Sequence, residues 1–122
     1  MHWFLSQPLD AKLNGYSNAY WTGLTTLELA KVVHEVIHQN ISGIIQVVPS
    51  EKINKYELLQ LFNSIFRNNQ LEIADYDAYK VDKSLLFTRK DFDYHVPTYE
   101  QMLVALKTWI LDHNTLYKHY SL

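Results

Sequence analysis

The stretch GYSNAYWTGLTTLELAKVVHEVIHQN, Gly15 to Asn40, organises the reading of the whole chain. Gly15 and Asn18 supply turn positions, and Tyr16, Tyr20 and Trp21 supply bulk, so Leu13 to Trp21 reads as loop or short strand. After the Gly23 turn, Thr25-Thr26-Leu27-Glu28 has the form of a capping box, a hydroxyl and a carboxylate three residues apart that satisfy amide donors at a helix start. The segment from this box to Asn40 reads as the longest helix of the sequence. Its apolar residues Leu27, Leu29, Ala30, Val32, Val33, Val36 and Ile37 leave only a narrow polar strip of Glu28, Lys31, Glu35 and Gln39. Such a helix is expected to be buried on most sides.

Working outward, residues 1–6 are apolar at Trp3, Phe4 and Leu5 and have no cap before them, as the tail of a helix would. Downstream, the β-branched run Ile44-Ile45-Gln46-Val47-Val48 closes at Pro49 and predicts a strand. Asn54-Lys55-Tyr56-Glu57 is a second capping box, followed by a helix carrying Leu58, Leu59, Leu61, Phe62, Ile65 and Phe66 to Asn68-Asn69. Leu71 to Ala74 suits another short strand, with parallel pairing expected between the two. Tyr76 to Val96 reads as irregular and polar. Thr98-Tyr99-Glu100-Gln101 caps a last helix with Met102, Leu103, Leu106, Trp109 and Ile110, and His113 to Leu122 has no clear period.

The totals bound the function. A chain of 122 residues, 48% hydrophobic and 20% charged, can build a core as one domain or part of one. A formal charge of −2 and a pI near 6.3 leave no basic footprint for nucleic acid. Nine tyrosines suit a rim around a polar ligand or a protein interface. The absence of Cys removes disulfides, thiolate zinc sites and thiol nucleophiles, and fits a cytoplasmic setting. No apolar run approaches the ~20 residues of a membrane span.

Two motifs invite catalytic readings. His34-Glu35-Val36-Ile37-His38 spells the zinc-hydrolase pattern His-Glu-x-x-His, with two imidazoles one turn apart, Glu35 as base and Glu57 as a possible third ligand. Against it, Glu57 is already committed to a capping box, and a strand ending at Pro49 intervenes. We read the match as fortuitous. Tyr76-Asp77-Ala78-Tyr79-Lys80 spells Tyr-x-x-x-Lys with Ser64 upstream, the elements of a carbonyl-reducing triad in which Lys lowers the Tyr pKa. The segment lacks the helical period that chemistry needs. Only Gly15, Gly23 and Gly43 are present, too dispersed for a dinucleotide-binding turn.

From end to end, the blocks Trp3–Gln7, Gly15–Lys31, Lys55–Leu59, Asp82–Leu85, Thr88–Phe92 and Val96–Glu100 resemble, in order and spacing, the carboxyl-terminal part of dTDP-4-dehydrorhamnose reductase-like proteins of the extended short-chain dehydrogenase superfamily. The resemblance implies an α/β fold, a small carboxyl-terminal substrate domain with helices packed on short parallel strands and the Rossmann domain absent. It implies that residues 1–6 are cut from a longer helix, as in a fragment, and that Ile44–Val48 is a late strand of a larger sheet. Nucleotide-sugar would be the ligand, and NAD(P) would belong to the missing Rossmann domain, with no cofactor, metal or catalytic group in this chain. Trp21, Asp82, Ser84 and Arg89 become the candidate substrate-binding residues. Trp21 would pack on a sugar or base unless it is a core aromatic, and Arg89 would neutralise a diphosphate unless it pairs with Asp91 or Asp93. The usual Arg-Pro ahead of this segment is Lys80-Val81 here, which weakens the case for diphosphate. Surface left uncovered by the missing domain would drive self-association.

Overall fold

The computed structural model describes residues 1–120. The elements run α1 (His2–Leu5), β1 (Lys12–Tyr16), β2 (Ala19–Trp21), α2 (Thr26–His38), β3 (Ile53–Asn54), α3 (Lys55–Arg67), β4 (Glu72–Tyr76), β5 (Val81–Lys83) and α4 (Tyr99–Asp112). The strands form two small sheets. In one, β1 pairs in parallel with β4, from Lys12 opposite Glu72 to Tyr16 opposite Tyr76. In the other, β2 is central, antiparallel to β3 and parallel to β5. The mixed α/β class with parallel pairing is as expected, and the strand expected at Leu71–Ala74 is β4, but it pairs with β1 rather than with Ile44–Val48.

The chain reverses between α3 and β4 because of one side chain. Asn63 is buried; its Nδ2 donates to the Leu71 carbonyl at 2.8 Å and its Oδ1 accepts from the Leu71 amide at 3.1 Å. Asn68 then ends α3 in the left-handed region at φ 49°, a conformation Asn tolerates. At the other end, Asn54 and Glu57 form the complete capping box read from sequence, as do Thr98 and Gln101 for α4. Phe4, Leu5, Leu13, Phe62, Phe66, Leu71, Leu103, Leu106 and Ile110 make the core where α1, α3 and α4 meet β1. Gly15 permits that layer to close, since a Cβ there would lie 2.7 Å from the Tyr56 Cα at the start of α3.

Four expectations are corrected. Ile44–Val48 is not a strand: among the described residues no strand pairs with it, and Ile44 is 91% exposed. A β-branched run can only be extended, not laddered, when no edge is offered to it. The capping box of α2 is half formed. Thr25 accepts from the Glu28 amide, but the Glu28 carboxylate turns inward instead of back to Thr25. Nor is α2 buried on most sides, or the longest helix: α4 has 14 residues to its 13, and only Glu28 and Val32 of α2 are buried. Leu29, Val33 and Ile37, one turn apart, form an exposed apolar stripe because no layer lies over them among the described residues.

Candidate functional site

A cleft of about 1030 Å³ opens between the β2–β5 pair, the loop 48–52 and the segment 84–96. Its floor follows from strand register. Tyr20 of β2 stands opposite Asp82 of β5, and both line the cleft. The Asp82 carboxylate is the best-connected polar group there. Oδ1 accepts from the Ser84 amide at 3.0 Å and the Ser84 hydroxyl at 2.6 Å, while Oδ2 lies 2.6 Å from Lys52 Nζ. The Lys52 ammonium also sits 4.7 Å from the centre of the Tyr20 ring, a cation–π distance. These contacts, the Lys52 hydrogen bond first and Ser84 next, hold the Asp82 carboxyl down at about 2.

The facing wall is an irregular segment held at three points. Thr22 Oγ1 accepts from the Leu85 amide at 2.9 Å. Gln39 brackets Asp93, donating to its carbonyl at 2.9 Å and accepting from its amide at 3.1 Å. Tyr94 donates its phenol to Glu28 Oε1 at 2.5 Å, and Lys31 reaches the other oxygen of Glu28 at 3.2 Å. Glu28 is only 2% exposed, so its oxygens are satisfied by these two side chains rather than by water. Burial, reinforced by that carboxylate, raises the Tyr94 pKa, which keeps the phenol a donor.

Of the four candidate residues, the fold brings Asp82 and Ser84 together and leaves the other two apart. Trp21 faces the opposite side, lining an apolar cavity of about 370 Å³ with Leu24, Phe62 and Met102. Its ring is wedged over Gly23, where a Cβ would come within 1.8 Å of Cζ3. Arg89 forms a fork with Asp91, Nε to Oδ1 at 2.8 Å and a second shorter contact, and donates to the Ser42 carbonyl at 2.7 Å and the Ile44 carbonyl at 3.4 Å. Its guanidinium, with pKa raised by Asp91, is spent on the backbone ahead of Ile45. Lys52, Tyr20, Thr22 and Tyr94 were not singled out from sequence. Lys52 meets Asp82 across thirty positions, and only the β2–β5 register reveals the pairing.

The catalytic motifs do not assemble. Tyr76 ends β4 and packs edge-on against Tyr16 at 5.3 Å, Lys80 lies outside any helix, and the Ser64 hydroxyl donates to the Leu61 carbonyl inside α3. His34 and His38 stack 6.4 Å apart on α2, with His34 Nδ1 3.3 Å from Glu35. Glu57 is taken up by Asn54, and among the described residues no group of three or more His, Asp or Glu is placed to hold a metal.

Neither a protein-family model nor a curated protein matches the sequence. A solved structure does match: dTDP-4-dehydrorhamnose reductase from Bacillus anthracis in complex with NADP, with a TM-score of 0.71 at 11% identity over 88% of this chain. The chain has the fold of part of that reductase. It spans 40% of the reductase's length. At that identity the likeness is one of fold, and the shared architecture includes the α/β layering described above. No helix among the described residues is long and apolar enough to cross a membrane.

Proposed function

We propose that this chain is the nucleotide-sugar-binding part of an NAD(P)-dependent reductase, acting on a dTDP-4-keto-6-deoxy-sugar or a close relative. The observation that carries the reading is the cleft at the β2–β5 pair. There Asp82, Ser84 and Lys52 converge beside the Tyr20 ring, in a fold shared with a sugar-nucleotide reductase. A few convergent polar groups in a concave, partly aromatic site are what orient a small polar ligand. On this reading the Rossmann domain that would carry NAD(P) and the catalytic groups is the natural partner, the setting is cytoplasmic, and the chain alone turns nothing over. Calorimetric titration with dTDP-glucose should give a Kd of ~1 mM or tighter, weakened by Lys52→Ala. No heat of binding at ~10 mM ligand would remove the reading.

A second reading rests on a different observation, the exposed stripe Leu29, Val33 and Ile37 followed by a β-branched run that begins at the 91% exposed Ile44 and joins neither sheet among the described residues. An exposed apolar helix face favours association. In this reading the chain self-associates through α2 and Ile44–Val48 whenever its sheet-bearing partner is missing.

A further inference from the structure

We infer that the cleft recognises the uncharged, hydroxyl-bearing ring of its ligand and excludes the diphosphate; this rests on the sugar-nucleotide reading above and narrows it. The lining carries three carboxylates, Glu51, Glu57 and Asp82, against one ammonium, Lys52, and one imidazole, His95. That ammonium is already paired with Asp82. A diphosphate would meet like charge on several sides, an arrangement that rejects partners more strongly than it binds them. The guanidinium suited to grip phosphate oxygens in a fork, Arg89, is turned onto Asp91 and two backbone carbonyls. The groups still free in the cleft suit hydroxyls. Lys52 keeps two of its three donors, and Asp82, with three of its about four acceptor sites used, keeps one. A sugar hydroxyl both donates and accepts, so one polyol edge can serve both members of the ion pair. Tyr20, Phe87 and Tyr94 supply flat apolar surface for the ring face.

The test is amide NMR of the full chain at low salt, following Thr22, Asp82, Ser84 and Leu85 during titration with methyl α-L-rhamnopyranoside, thymidine diphosphate or dTDP-glucose. The glycoside should shift these amides saturably, while thymidine diphosphate alone leaves them in place. Asp82→Asn should weaken the glycoside by about 10-fold and at the same time admit thymidine diphosphate, because an acceptor and a negative charge are lost together. A merely structural role for Asp82 would weaken the glycoside without admitting thymidine diphosphate. Shifts of the cleft amides by thymidine diphosphate in the unmodified chain, or none with the glycoside, would overturn the inference. The sugar-nucleotide reading itself falls only if dTDP-glucose also leaves every amide unmoved.

Discussion

Asp82 shows how a residue's surroundings, rather than its own chemistry, set what it does. Lys52 and Ser84 bond its charged form, so its pKa is lower folded, about 2, than the ordinary 3.8. For a carboxyl depressed in this way, the stabilisation is complete above the unfolded value and is lost as pH falls through the folded one. The stability that the Asp82–Lys52 contact contributes should therefore be complete from neutrality down to about pH 4, decline below it and be gone below about pH 2, where the carboxyl of the folded chain takes up its proton. A side-chain carboxyl NMR titration should place the midpoint near 2, and Lys52→Met should move it towards 3.8; an unchanged midpoint in the variant would show that the ion pair is not the cause. Glu28 makes the complementary case inside the protein. Removing the phenol that satisfies it, with Tyr94→Phe, leaves a 2% exposed carboxylate with Lys31 alone and should cost about 1.5–3 kcal/mol in urea unfolding. At this scale the sequence was a partial guide. Asp82 and Ser84 could be nominated, but Arg89 and Trp21 resolve into a backbone clamp and a wedge over Gly23, outcomes that depend on neighbours 45 positions away or on an unseen close approach.

Among the elements, the helices were the most legible. Local hydrogen-bonding chemistry marks their starts, and two of the three boxes, Asn54–Glu57 and Thr98–Gln101, closed as written. Glu28 did have something better, the phenol of Tyr94, so a tertiary contact overrode a local rule. Strands were less legible because pairing is nonlocal. Ile44–Val48 has strand composition without a neighbour, whereas Ala19–Trp21, in an aromatic turn-rich stretch, is the centre of a sheet. The period of α2 was read correctly as apolar, but the inference of burial failed because no described element lies over Leu29, Val33 and Ile37. That stripe makes a direct prediction. If it mediates self-association, Val33→Lys with Ile37→Lys should convert the chain to monomer in light scattering while thermal unfolding shifts little, since both positions are at least half exposed. Oligomers that survive the double substitution would exclude this face.

For the molecule as a whole, this chain has the fold of part of a reductase and spans 40% of that reductase's length, and the proposal is that its cleft at the β2–β5 pair takes a sugar ring. The resemblance of ordered blocks along the sequence anticipated the fold, which the chain shares with the reductase at 11% identity. It did not anticipate the cleft, whose floor and wall are assembled from β2, β5, the loop at Lys52 and the segment around Tyr94. The most direct measurement is a crystal structure of the chain grown with dTDP-glucose. Density for the sugar ring is expected between Tyr20, Lys52 and Asp82–Ser84, with the diphosphate directed away from Glu51 and Glu57. A saturated crystal with that cleft empty and the ligand bound elsewhere, against Trp21 or Arg89, would contradict it.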